Sequence, residues 1–291
     1  MLAHNPARPR APGSRRSPVK LIAYQNGDRR VMARVVDSMA LPFASLEDFW
    51  ADPQPSLLAA AKARSGGEPV ANLVQVPPLP DTARVICAGL NYAAHAEEAH
   101  FKLPTKPDIF GRWRSTLAVD GQPVPVPPRD DHFDWEGELA VVIGKELRDA
   151  TPEVAQAGFL GYACFNDLSA RGFQLASDRW TLGKNADDSG PLGPWIVTAD
   201  EIPDPGQLRI QTRVNGNTVQ DGNTSNLIFS GAQIAAYASG VMTLKPGDLI
   251  ATGTPDGIGA TRIPPMFLHP GDVVEVEVER IGRITTPIVQ R

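Results

Sequence analysis

The stretch Trp135-Glu136-Gly137-Glu138-Leu139-Ala140-Val141-Val142-Ile143-Gly144 constrains the fold more than any other part of the chain. It sets two carboxylates, one residue apart, ahead of five apolar residues and closes on glycine. A run so short, β-branched and glycine-bounded predicts a buried strand rather than a helix. Alternate strand side chains point to opposite faces, so Glu136 and Glu138 share one. Gly137 has no side chain and lets another backbone or a ligand approach closely. Neighbouring carboxylates repel, and burying either is costly unless a cation neutralises it. Magnesium, calcium and manganese prefer oxygen donors, so the pair suits a divalent-metal site. It also suits a solvated strand end, because surface glutamate is commonplace. The stretch alone leaves both readings open.

A chain of 291 residues makes one large domain or two small ones. With 42% hydrophobic and 21% charged residues it can bury a substantial core. A formal net charge of -5 argues against a nucleic-acid partner. No apolar stretch is long enough to span a bilayer. Cys87 and Cys164 lie in apolar runs and read as reduced core residues of a cytoplasmic protein, not as a disulfide. The 28 prolines and 26 glycines fit a turn-rich, mostly β chain.

Residues 1–18 are rich in arginine and proline and lack any acid, which predicts a disordered extension with no secretory signal. Asn26-Gly27 and Asn215-Gly216 each mark a hairpin. Ser45 to Asp48 resembles a capping box, and a second helix is expected over 56–64. The proline-rich connector 76–80 is taken as a domain boundary. Asn91 reads as the cap of a helix carrying His95 and Glu98, three apart on one face. A histidine paired with a carboxylate is what a general base needs, although an exposed amphipathic turn has the same spacing. A buried strand over 160–165 brings Asn166 and Asp167 to its end, and Ser169 is expected to cap a short helix with Arg171 and Gln174 on one face. Lys184 follows Gly183 and, by itself, reads as an ordinary surface lysine. A helix is expected from Ser230 to Ser239, stopping at Gly240. The loop 253–259 is glycine-rich without being a phosphate-binding loop. It can present backbone N–H groups and the Thr254 hydroxyl to a carboxylate. Val274, Val276 and Val278 alternate with Glu275, Glu277 and Glu279, which read as a wet face.

Taken in order, these motifs resemble the fumarylacetoacetate hydrolase family in its shorter, bacterial-type form. The matching pieces are Gly89-Leu90-Asn91-Tyr92 with His95 and Glu98, Glu136 to Gly144, and Asn166-Asp167-Leu168-Ser169-Ala170-Arg171 with Gln174. Trp180, Gly183-Lys184, Gly190 to Trp195, Val214-Asn215-Gly216, Pro246-Gly247-Asp248 and Thr252-Gly253-Thr254-Pro255 complete the set. The resemblance implies an α+β, mostly β fold, with a mixed β-sheet roll over 81–291 and a small N-terminal α/β domain over 19–80. It implies that Glu136, Glu138 and Asp167 hold Mg²⁺, with Mn²⁺ or Ca²⁺ as alternatives. His95 and Glu98 would form a water-activating dyad on a lid helix that is mobile without substrate. Lys184 would stabilise an oxyanion, and Arg171, Gln174 and Thr254 would orient the substrate's carboxylate and oxo groups. Many family members carry Phe-X-Lys where this chain has Phe110-Gly111-Arg112. Arginine offers a planar fork in place of a point charge, so Arg112 is expected to alter recognition of the substrate's anionic end.

The implied activity is hydrolysis of a C–C bond in a 2,4-dioxo acid of the acylpyruvate or fumarylpyruvate kind, with an enolate as leaving group. The alternatives are isomerisation of a 2-hydroxydienoic diacid (5-carboxymethyl-2-hydroxymuconate or 2-hydroxyhepta-2,4-dienedioate type) and decarboxylation of an oxaloacetate-like acid. A non-catalytic oxo-acid-binding protein would lack a ligand or a dyad residue, and all are present. The resemblance further implies a homodimer acting on a small-molecule oxo acid, with no membrane or nucleic-acid partner.

Overall fold

The computed structural model describes residues 19–63, 66–94 and 102–291. The start over 1–18, expected to be disordered, and His95 and Glu98, expected on a lid helix, lie outside them. Among the described residues no helix is long and apolar enough to cross a membrane.

A twelve-stranded mixed sheet organises the chain. Its order runs through Met39–Ser45, Arg29–Val36, Lys20–Asn26, Gly190–Thr198, Phe159–Asn166, Gly137–Ile143, Leu249–Ala251, Val85–Gly89 and Asp108–Arg112. Gly137–Ile143 is central, antiparallel to both Phe159–Asn166 and Leu249–Ala251, and every residue in it is buried. A five-stranded sheet, centred on Val273–Val278, lies against one face. The two sheets match the mostly β, mixed-sheet fold expected from sequence.

Alternation sorts the central strand between two cores. Leu139, Val141 and Ile143 pack with Ile210 and Val276 of the smaller sheet and Ile234 of the helix Gly231–Ser239. Ala140 and Val142 pack on the other face with Leu21, Phe49, Trp50, Ala163 and Phe165. Each fully buried valine or isoleucine contributes about 1.5–3 kcal/mol, so this two-faced strand is a large part of what fixes the register. The N-terminal strands join the same sheet, since Lys20 and Leu21 pair with Val197 and Ile196.

Local signals behave as their chemistry dictates. Asn215 and Gly216 both take positive φ, 51° and 78°, as a two-residue turn of the primed kind requires. In the first hairpin the loop residues are Gly27 and Asp28, because Asn26 still pairs with Arg29. Ser230 caps its helix in a full capping box with Gln233. Two expectations shift. The second helix starts earlier, at Pro53, because proline is well placed in a first helical turn. Ser169 is not a cap: Ser169–Ala170 pairs as a short strand with Phe133–Asp134, and the serine hydroxyl donates to the Asp167 carbonyl, 2.8 Å away.

Candidate functional site

Strand register alone brings the three acids together. Gly137 pairs with Asn166 and Glu138 with Phe165, so Glu136 lies opposite Asp167, and the Asp167 N–H donates to the Glu136 carbonyl at 2.9 Å. Residues 136 and 138 share the face of Ala140 and Val142, and residue 167 that of Ala163 and Phe165. The cluster therefore sits where one core ends. Glu136, Glu138 and Asp167 are all buried, with one carboxylate oxygen from each within 4.8 Å of the others.

Basic side chains surround them. Lys184 is buried, and its Nζ lies 2.7 Å from both Glu136 Oε2 and Asp167 Oδ2. Burial opposes this ammonium, but the charges of Asp167 and Glu136 outweigh it and raise its pKa. Arg112 pairs with Asp167 and places Nη2 2.6 Å from Ser189 Oγ. Arg171 Nη1 lies 2.7 Å from Glu136 Oε1 and 2.7 Å from Gln174 Oε1. On its other side Arg171 Nη2 lies 2.8 Å from Asp134. Burial disfavours the Arg171 charge as well, yet Asp134 and Glu136 hold it firmly protonated.

Glu138 differs from its neighbours. No basic group pairs with it among the described residues, and its Oε2 accepts a 2.8 Å hydrogen bond from the Gly253 N–H. Burial first, then the charges of Asp167 and Glu136, drives its pKa well above the carboxylate range. An all-oxygen donor set with one carboxylate left uncompensated is what a hard divalent cation relieves, so the residues fit such an ion. Asp130, Asp131 and His132 also gather, but the last two are exposed and Asp130 accepts the backbone N–H groups of His132 and Phe173.

The other residues singled out from sequence take definite places. Thr254 is buried, and its hydroxyl donates to the Gly137 carbonyl at 2.9 Å. Gln174 has its Oε1 occupied by Arg171. Sequence reasoning passed over Asp134, Ser189 and Gln220. Asp134 accepts from the N–H groups of Trp135, Gly259 and Ala260 besides pairing with Arg171, tying the glycine-rich loop to the site. Its position directly before Trp135 and Glu136, which lead into the central strand, is the available signal. Ser189 and Gln220 carried none.

Comparison with known proteins agrees with this architecture. The chain is 40% identical over 220 residues to a mitochondrial oxaloacetate tautomerase of Xenopus laevis, covering 75% of this chain and 69% of that protein. The solved structure of 2-hydroxyhepta-2,4-diene-1,7-dioate isomerase from Mycobacterium marinum superposes with a TM-score of 0.78 at 31% identity, covering 94% of this chain and 99% of that one. That of 5-carboxymethyl-2-hydroxymuconate delta-isomerase from Mycobacterium smegmatis gives 0.76 at 33%, covering 94% and 99%. Residues 84–289 match the family model described as fumarylacetoacetate (FAA) hydrolase C-terminal, which takes in every acid and base of the cluster, and the chain belongs to the fumarylacetoacetate hydrolase family.

Proposed function

We propose that the chain is a divalent-metal-dependent enzyme that shifts a proton between carbon and oxygen, or between two carbons, of a 2-oxo diacid or its enol. The observation that carries this reading is the buried Glu136–Glu138–Asp167 cluster, closed to 4.8 Å and flanked by a buried ammonium. The names of its relatives support it, since a tautomerase of oxaloacetate and isomerases of unsaturated di- and tricarboxylic acids all rearrange a polyacid without breaking its carbon chain. We assign Mg²⁺, with Mn²⁺ or Ca²⁺ as alternatives, to the three carboxylates. Bound there, the ion supplies a Lewis acid for the oxygens of a 2-oxo carboxylate.

The chain's own groups do the rest. Lys184 pairs with Glu136 and Asp167 and adds positive charge beside them, which favours a substrate state with negative charge on oxygen. Gln174 Nε2 has no protein partner among the described residues and can donate to a substrate oxygen, while Arg171 fixes the Gln174 amide. Arg112 acts through Asp167, which it orients. His95, with Glu98 as its partner acid in this proposal, is assigned the proton transfer at its imidazole nitrogen; both residues lie outside the described residues.

A second reading follows from that same pair. A histidine–glutamate dyad can activate water, and the chain would then hydrolyse an acylpyruvate-like 2,4-dioxo acid. Decarboxylation of oxaloacetate needs no activated water and would use the dyad only to protonate the resulting enolate. Product analysis separates these. Purified protein with Mg²⁺, or with EDTA, is given oxaloacetate, a muconate-type diacid and an acylpyruvate. EDTA-sensitive keto–enol exchange or isomerisation, without carboxylic-acid release from the acylpyruvate, is the expected result. Faster pyruvate release from the acylpyruvate would establish the hydrolase instead, and turnover indifferent to EDTA would remove the metal site.

A further inference from the structure

We infer that Gln220, on the smaller sheet, is a positioning residue that sets the affinity of the acid cluster for its ion, working with Thr254 through the backbone of Gly137. The inference rests on the metal-site reading above.

Gly137 lies between Glu136 and Glu138, so the two carboxylates converge only if its backbone is fixed. On an antiparallel strand the N–H and C=O of one residue point to the same side, and residues two apart share that side. Leu139 uses this side to accept from the N–H of Thr252, 3.1 Å away. Gly137 faces the same way, but the strand Leu249–Ala251 has already ended and pairs only with Ala140 to Val142. Both polar groups of Gly137 would otherwise be buried without partners, at about 1–3 kcal/mol each.

Gln220 and Thr254 stand where the missing strand would be. The Gly137 N–H donates to Gln220 Oε1 at 3.0 Å. The Thr254 hydroxyl donates to the Gly137 carbonyl at 2.9 Å. Gln220 Nε2 closes the ring by donating to Thr254 Oγ1 and to the Pro255 carbonyl, each at 2.8 Å. Both amide hydrogens and the amide oxygen are engaged, and the residue is 2% exposed. The amide has one possible orientation, because a flip would set Nε2 against the Gly137 N–H and Oε1 against the Pro255 carbonyl. The neighbouring Gly253 N–H meets Glu138 directly, so one loop holds both the Gly137 peptide and a ligand carboxylate. Thr212, also from the smaller sheet, sets its hydroxyl oxygen where a Gly137 side chain would begin, 2.1 Å from an ideal Cβ.

The sequence-based role for Thr254, contact with substrate, makes a different prediction, because its hydroxyl proton is already given to Gly137. Partners that orient metal ligands typically change metal affinity 10–100-fold. The test compares Thr254→Val, Thr254→Ser and Gln220→Glu by calorimetric titration of the EDTA-stripped protein with Mn²⁺ and Mg²⁺, alongside kcat and KM. Circular dichroism and melting of the metal-free proteins check the fold. Thr254→Val is expected to weaken ion binding about 10–100-fold with the metal-free fold intact. Thr254→Ser, which keeps the hydroxyl, is expected to restore it. Gln220→Glu, which cannot donate to Thr254 or Pro255, is expected to weaken it at least as much. Ion binding by Thr254→Val equal to that of the wild type, with only KM for the oxo acid raised, would overturn the inference and leave the metal site standing. Thr254→Ser as weak as Thr254→Val would also overturn it. A wild-type chain that binds neither ion would instead fail the metal-site reading itself, and this inference with it.

Discussion

Replacing Lys184 by methionine removes the one ammonium that, among the described residues, touches two of the three clustered acids. Its Nζ lies 2.7 Å from Glu136 and from Asp167, and its side chain is 2% exposed. Breaking a buried ion pair on one side usually costs about 3–5 kcal/mol, because the remaining charge stays buried. Here Glu136 keeps Arg171 and Asp167 keeps Arg112, so the lower end applies and about 3 kcal/mol is expected. For domains of 150–250 residues each kcal/mol moves the melting temperature by roughly 2–4 °C, which gives a fall of about 6–12 °C. Methionine preserves most of the side-chain volume, so a cavity adds little. The measurement is thermal unfolding of wild type and Lys184→Met in EDTA, repeated with saturating Mg²⁺. Removing a competing positive charge leaves a more anionic hollow, so the variant should gain more from Mg²⁺ than the wild type does. A variant that melts with the wild type in EDTA would refute the reasoning, since the ammonium would then not be compensating buried carboxylates.

Three further outcomes are expected. Gly137→Ala should lower stability by about 1–3 kcal/mol in denaturant unfolding, because the added methyl would fall on Thr212 Oγ1 and against Val276. The Arg30 guanidinium hydrogen-bonds Asp81 and Glu47 and holds both below the usual carboxylate pKa. A depressed folded pKa gives stability that is present above the unfolded value and lost as pH falls through the folded one. Arg30→Gln should therefore melt lower than wild type at neutral pH, by no more than about 1 kcal/mol for exposed pairs, and the gap should close below about pH 4. Arg112→Lys keeps a charge but cannot fork between Asp167 and Ser189. It should slow turnover of acidic and neutral substrates alike, and a loss confined to acidic substrates would restore Arg112 to the substrate's anionic end.

Much of the site could be read from sequence because its geometry is local. Glu136 and Glu138 share a face through a two-residue period, and the strand carrying them announces itself by β-branched residues closed with glycine. The Ser230 cap and the Asn215-Gly216 turn are equally short-range. What escaped depends on contacts far apart in the chain. Gln220 meets Gly137 across 83 residues and Ser189 meets Arg112 across 77, and neither has any local pattern. Lys184 looks like a surface residue because its neighbours are polar, and its burial follows from the acids it turns toward. Ser169 resembles a cap because serine is favoured just before a helix. Pairing of Ser169–Ala170 with Phe133–Asp134 took the segment into a strand instead.

Residues 84–289 carry the family match, but the sheet and the second core do not stop there. Leu21, Met32, Phe49 and Trp50 cover the face of Ala140, Val142, Ala163 and Leu249. A recombinant fragment cut at the family boundary would strip that cover and leave an oily sheet face in water, beside a newly bared edge at Ile196 and Val197. Such a fragment is expected to precipitate or self-associate, so surveys that trim proteins of this kind to the shared segment would discard half of what keeps its central strand dry.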